Sequence, residues 1–184
     1  MHMLEIQTPC TPQSIKNLRA GDRVGITGVM YTARDAAHRR FVECIKNTMP
    51  LPVDLRGQIV YYAGPTPTPP GKIFGSVGPT TSGRMDAYAP LLMEKTGLTG
   101  MIGKGSRSPA VIEAMKKYSC IYFAAIGGAG ALLAGHIKKA DIVCYEDLGA
   151  EAVYRLEVEA FPVIVAIDSL GNNLYCIGPT AYKR

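Results

Sequence analysis

Apolar residues recur along this chain with two periods. Runs that alternate or are almost wholly apolar predict strands at residues 4–8, 23–29, 58–63, 98–102, 120–126, 140–145, 154–158 and 161–167. Helical spacing marks residues 31–45, where Ala33, Ala36, Ala37, Phe41, Cys44 and Ile45 share a face and Thr32 is the expected N-cap. A shorter amphipathic helix is expected over 110–118, with Ser108-Pro109 at its start, and a small-residue helix over 131–137. Another apolar helix precedes the strand at 98–102, and Thr11 opens a brief helical turn. The turn at 168–173 predicts a hairpin into 174–177. Strands and helices alternate in the middle and hairpins close the end, so the chain reads as α/β with mixed rather than purely parallel sheets. The proline-rich segment 64–71 is a stiff connector and not a domain boundary, because the short strands beside it need each other to bury a face. The 184 residues read as a single domain, 1–184.

Composition narrows the function classes. With 47% hydrophobic and 19% charged residues the chain has the balance of a soluble globular protein. Its net charge of +5 is spread out, with doublets such as Arg39-Arg40, Lys116-Lys117 and Lys138-Lys139. Nucleic acid binding wants a basic stripe with interleaved aromatics, and none is present. Attraction for small acids is the better use of that charge. Five scattered cysteines (Cys10, Cys44, Cys120, Cys144, Cys176) show no CxxC and no Cys/His cluster, which argues against a disulfide framework or a zinc site. No apolar run approaches the roughly 20 residues of a membrane span and no signal peptide is evident, so a cytoplasmic protein is expected. Gly127-Gly-Ala-Gly130 follows a strand, but its spacing is not GxGxxG and no acidic residue closes the next strand as a dinucleotide site requires. Tight backbone packing, or one wall of a pocket, is the better reading.

Two turns concentrate the candidate chemistry: Gly78-Pro-Thr-Thr-Ser-Gly-Arg-Met-Asp86 and Gly103-Lys-Gly-Ser-Arg-Ser108. Each follows an apolar run and is expected to open a helix, where unpaired backbone N–H groups and the helix dipole favour anions. With Arg84 and Lys104 alongside, the two turns suit a small polyanion such as a dicarboxylate or a phosphate. Ordinary capped turns with solvated cations fit the same residues. Arg34 lies in the first turn of its expected helix, where a cation opposes the dipole, with His38 one turn further on. Both a functional Arg34 and a solvated one beside a packed histidine are open at this point.

The string Gly78 to Asp86, the turn Gly103-Lys-Gly105, and Phe161 to Asp168 with Gly171-Asn172 resemble the β-subunit of class I iron–sulfur hydro-lyases, the family of two-subunit fumarate hydratases and L-tartrate dehydratases. The resemblance runs from about Thr8 to Tyr182. It implies a swivelling β/β/α fold, the same unit being the C-terminal domain of single-chain relatives. It also implies an obligate α-subunit carrying a [4Fe–4S] cluster on three cysteines, in a dimer of αβ pairs. By that resemblance Thr80 is the catalytic hydroxyl, paired with an Asp of the α-subunit, and Arg34, Arg84 and Lys104 are the substrate-binding cations.

Moving water across a C–C bond beside a carboxylate needs a Lewis acid, an acid/base at carbon and cations for the carboxylates. This sequence offers the hydroxyl and the cations but no metal-ligand set, so the cluster is expected from the partner. Arg suits forked carboxylate contacts and Lys a point charge. Thr81 and Ser82 read as turn residues, Asp86 as a partner of Arg84 or a helix cap, His38 as a support, and Arg107 as a possible surface residue. The expected reaction is fumarate to (S)-malate. L-tartrate to oxaloacetate is the rival within the family, and a non-catalytic dicarboxylate-binding module the rival outside it.

Overall fold

The predicted strands assemble into one sheet that closes on itself. The computed structural model describes residues 3–180. Within them lie β1 (Leu4–Thr8), β2 (Arg23–Thr32), β3 (Ile59–Tyr61), β4 (Gly100–Gly103), β5 (Ile121–Ala124), β6 (Ile137–Cys144) and β7 (Val153–Ile167). Their order is β1-β2-β3-β4-β5-β7-β6, and a further β2–β7 pairing joins the interior strands into a ring, β2-β3-β4-β5-β7. Neighbours β2, β3, β4 and β5 run parallel, whereas β7 is antiparallel to β2, β5 and β6. The sheet is therefore mixed, and the chain is α/β.

Strict alternation along the strands separates two buried clusters. Ile59, Tyr61, Ile102, Phe123, Ile26, Met30 and Phe161 belong to one, inside the ring. Val60, Tyr62, Met101 and Tyr122 belong to the other, packed under α2 (Asp35–Lys46), α3 (Ala89–Thr96) and α4 (Pro109–Tyr118) through Phe41, Leu92, Met93, Val111 and Met115. Residues 64–77 fold over the ring, burying Phe74 and Val77, and Tyr61 Oη donates to Val77 O at 2.7 Å. Thr66 and Ser76 tie this connector to itself through Thr66 N–H to Ser76 O at 2.9 Å and Ser76 N–H to Thr66 Oγ1 at 3.0 Å.

Several expectations are corrected. Thr32 ends β2 and its Oγ1 accepts the Tyr154 N–H at 3.1 Å, while Arg34 is the residue at the N-cap of α2. The strands expected at 154–158 and 161–167 are one strand, β7, broken by a bulge in which Glu159 and Ala160 oppose the single residue Thr27. Ile137 begins β6 and does not end a helix, since α5 stops at Ala134 (Gly130–Ala134). The 174–177 segment lies in α6 (Leu174–Thr180) rather than a hairpin strand, because Asn173 starts a helical turn: its carbonyl accepts the N–H groups of Cys176 and Ile177 and its Oδ1 that of Tyr175, all at 3.0 Å. The first functional turn opens a 3-10 turn, Ser82–Met85, and not an α-helix. The short α1 (Pro12–Ile15) has a capping box between Thr11 and Ser14.

Candidate functional site

Both turns leave the same end of the ring. Thr80 donates its N–H to Tyr62 O, just past β3, at 2.7 Å, and Lys104, just past β4, donates its N–H to Thr80 O at 3.2 Å. Ser82 N–H donates to Lys104 O at 2.9 Å, so residues 80–82 run beside Lys104 as a short parallel bridge. A Cβ on Gly103 would collide with Ser82 Oγ and lie 3.2 Å from the Tyr62 ring, which is why glycine precedes Lys104. Ser82 is buried and its hydroxyl bonds Tyr122 Oη at 2.9 Å, while Tyr122 Oη donates to Gly105 O at 2.8 Å. Gly105 N–H in turn donates to Tyr175 Oη at 3.2 Å. The two turns are thus one hydrogen-bonded unit.

Arg34 follows the adjacent parallel strand β2, so Arg34, Thr80 and Lys104 all sit at strand C-terminal ends, where parallel β/α sheets, open or closed, present ligand sites. Arg84, half exposed in the 3-10 turn, donates Nε–H to Asp35 Oδ1 at 2.8 Å. Arg34 places Nη2 3.5 Å from Glu151 Oε1 and Nε 4.0 Å from Asp35 Oδ2. Glu151 Oε2 also accepts the Ala36 N–H at 3.0 Å. That contact resolves the misplaced cation: Glu151, far away in sequence, serves the helix N-terminus while neutralising Arg34. Lys104 is exposed and reaches toward the Gly127 loop, where a Cβ on Gly127 would meet Nζ at 3.9 Å. The loop itself packs against the first turn, with Val77 N–H donating to Gly130 O at 3.1 Å. It forms a wall, in line with the reading of this glycine cluster as packing.

The remaining residues are sorted differently from expectation. Asp86 holds neither Arg84 nor its own helix. Its Oδ1 accepts from Arg107 Nε at 2.7 Å and its Oδ2 caps α4 through the Ser108 N–H at 2.6 Å. Arg107 is not a surface residue: its side chain is fully buried. His38 is also fully buried, and its Nδ1–H donates to Arg34 O at 2.9 Å. Burial pushes its pKa down to about 4, so the ring is neutral. Asp35 and Glu151 are the neighbours of the candidate residues that the sequence reading did not single out, and Arg107 was read there as a possible surface residue. Asp35 is adjacent to Arg34, but nothing local marks Glu151.

The arrangement offers three guanidinium or ammonium groups, a threonine hydroxyl and no cluster ligands. Among the described residues no three His, Cys, Asp or Glu side chains stand together in a metal-holding group. Burial also raises the thiols of Cys10 and Cys144 to about 11 and of Cys120 to about 12, the reverse of what a thiolate ligand needs. These residues do not fit a [4Fe–4S] cluster.

The profile of the family described as fumarase C-terminus matches residues 1–178. Fumarate hydratase 2 of Leishmania major is 41% identical over 164 residues, covering 89% of this chain and 29% of that protein. The aerobic class I fumarate hydratase of Escherichia coli K12 is 42% identical over 154 residues, covering 83% of this chain and 28% of that protein. A protein assigned as L(+)-tartrate dehydratase subunit beta in Methanocaldococcus jannaschii is 40% identical over 170 residues, covering 90% of this chain and 87% of that protein. The chain spans less than a third of the fumarate hydratases cited here but most of the β-subunit. With its profile matched almost from end to end, the chain belongs to the fumarase C-terminus family.

Proposed function

We propose that this chain is the β-subunit of a two-subunit [4Fe–4S] hydro-lyase, most simply a fumarate hydratase interconverting fumarate and (S)-malate. The carrying observation is the main-chain bonding of Thr80 to both Tyr62 and Lys104, which fastens together the two turns that carry the hydroxyl and the ammonium, at the rim where Arg84 and Arg34 stand. In this reading Arg34, Arg84 and Lys104 bind the substrate carboxylates. Asp35 bonds Arg84 and Glu151 lies beside Arg34, contacts that bear on how each guanidinium is oriented for forked recognition. Thr80 moves the proton at the substrate carbon, with neighbouring cations favouring its alkoxide. The cluster and an Asp come from the α-subunit, and the open rim is the face against it. The ring and its outer helices act as a single swivelling β/β/α domain, residues 1–184, in a cytoplasmic dimer of αβ pairs.

A second reading has a specific observation behind it: the β-subunit assigned to L(+)-tartrate dehydratase is matched over 87% of its length. The substrates differ by a hydroxyl, which a few polar groups discriminate. The test is anaerobic co-expression with the cluster-bearing subunit, following fumarate absorbance and, in parallel, oxaloacetate from L-tartrate. Exchange of fumarate and malate that needs both chains supports the proposal. Tartrate turnover alone moves it to the second reading. A Thr80→Ala variant should keep partner and substrate binding and lose at least a hundredfold in kcat, and turnover that survives this change removes Thr80 from its role. Dicarboxylate binding without turnover in a cluster-loaded assembly would leave only a binding module.

A further inference from the structure

We propose that Arg107 is the positioning residue that locks the two turns of the site together, and so sets where the Thr80 hydroxyl points. The inference rests on the reading of Thr80 given above.

Arg107 has no exposed side-chain surface. Its Cζ lies 5.4 Å from the Tyr62 ring centroid and 5.0 Å from that of Tyr122. Its Nε donates to Asp86 Oδ1 at 2.7 Å and its Nη1 to Met101 Sδ at 3.3 Å, while Nη2 is buried without a hydrogen-bond partner. Three of these contacts lead to a turn. Tyr62 supplies the carbonyl that holds the Thr80 N–H. Tyr122 supplies the hydroxyl that joins Ser82 to Gly105. Asp86 ends the first turn and holds the Ser108 N–H that ends the second. One guanidinium therefore grips both aromatic supports and the carboxylate that links the far ends of the turns.

Stability does not account for this arrangement. A buried ion pair is often matched or exceeded by well-packed neutral residues of similar size, and a partnerless Nη2 adds a penalty. What a planar cation provides, and a methionine or lysine does not, is a fixed plane between two rings with a directed bond to a carboxylate. The short Thr80 side chain has no slack to absorb a shift of its backbone, whereas the long Lys104 does. Misplacement should fall on kcat more than on KM.

The test uses the full chain, alone and assembled with its partner, carrying Arg107→Met together with Asp86→Asn. This pair removes both charges, keeps an oxygen for the Ser108 N–H and fills the space. Thermal stability is expected within a few degrees of the parent. Hydrogen exchange is expected at least tenfold faster at Thr80, Ser82 and Lys104 with other regions unchanged, and kcat should fall tenfold to a hundredfold with KM moving less than threefold. Arg107→Lys should not restore kcat. Thr80→Ala should lose turnover without changing exchange at Ser82 and Lys104. Exchange and kcat within twofold of the parent overturn the inference. So does a loss that tracks a general fall in stability with faster exchange everywhere, which is a merely structural role. An inactive parent assembly defeats the proposed function instead, and the exchange data on this chain then decide the inference alone.

Discussion

His38 packs edge-on against Tyr62 at a ring separation of 5.2 Å, with its proton directed to the carbonyl of Arg34. Burial holds its folded pKa near 4 against an ordinary 6.5, so the unfolded chain binds a proton that the folded chain refuses. This contribution is fully present above pH 6.5 and is lost as pH falls toward 4, with a slope of at most about 1.4 kcal/mol per pH unit. Urea titrations across that window should show unfolding free energy falling with acid, and His38→Leu should flatten this part of the profile. An unchanged slope in the variant would assign the acid sensitivity elsewhere. At this scale the two turns that carry the candidates Thr80, Arg84 and Lys104 were legible because short strings around glycine mark them. The carboxylates were not. Glu151 meets Arg34 only because the 3-10 turn Glu146–Glu151 is carried to α2 by the pairing of β7 with β2, a non-local event with no local pattern. Arg107 was ambiguous for a similar reason, since an arginine two residues before a proline looks solvated until Tyr62 and Tyr122 close over it.

Among the elements, β7 shapes the sheet most. Its bulge at Glu159–Ala160 lets the N-terminal half pair with β6 and the C-terminal half with β5 on one edge, while β2 runs along the other. Ala160 takes a positive φ of 48°, and its N–H donates to Thr27 Oγ1 at 3.0 Å. A left-handed conformation costs an alanine roughly 1–2 kcal/mol, and glycine escapes it at a smaller entropic cost. Ala160→Gly should therefore raise unfolding free energy by up to about 1 kcal/mol in denaturant melts. A loss of stability would mean that the alanine methyl contributes more than the strain removes. The sequence pattern found both halves of this strand and stopped where the bulge interrupts alternation, so it read one bent strand as two. For α6 the failure is different: a four-residue apolar run has no period long enough to separate helix from strand, and the Asn173 cap decides.

For the whole molecule, the alternation of βα units and the mixed sheet were legible, because period-2 and period-3.6 runs are long in the middle of the chain. Ring closure was not, since it depends on pairing β2 with β7 across most of the sequence. The dispersed cysteines lead to a prediction at this scale. Cys10 and Cys120 are buried, and thiols held protonated make poor iron ligands. Incubated anaerobically with iron and sulfide, the isolated chain should remain colourless and hold far less than stoichiometric iron. A brown, stoichiometrically loaded chain would overturn the proposed division of labour between this chain and a cluster-bearing partner.

The late arrival of β7 also bears on how the protein is made. Translation delivers Arg34, Thr80, Arg84 and Lys104 well before the strand that closes the ring. Glu151, which holds Arg34, arrives only just ahead of that strand. A nascent chain on the ribosome thus carries every candidate residue with the sheet still open and its parallel edges unpaired, a state prone to off-pathway association. The candidate rim is completed only when β7 closes the ring, and a chain truncated before Val153 would carry Arg34, Thr80, Arg84 and Lys104 without that closure.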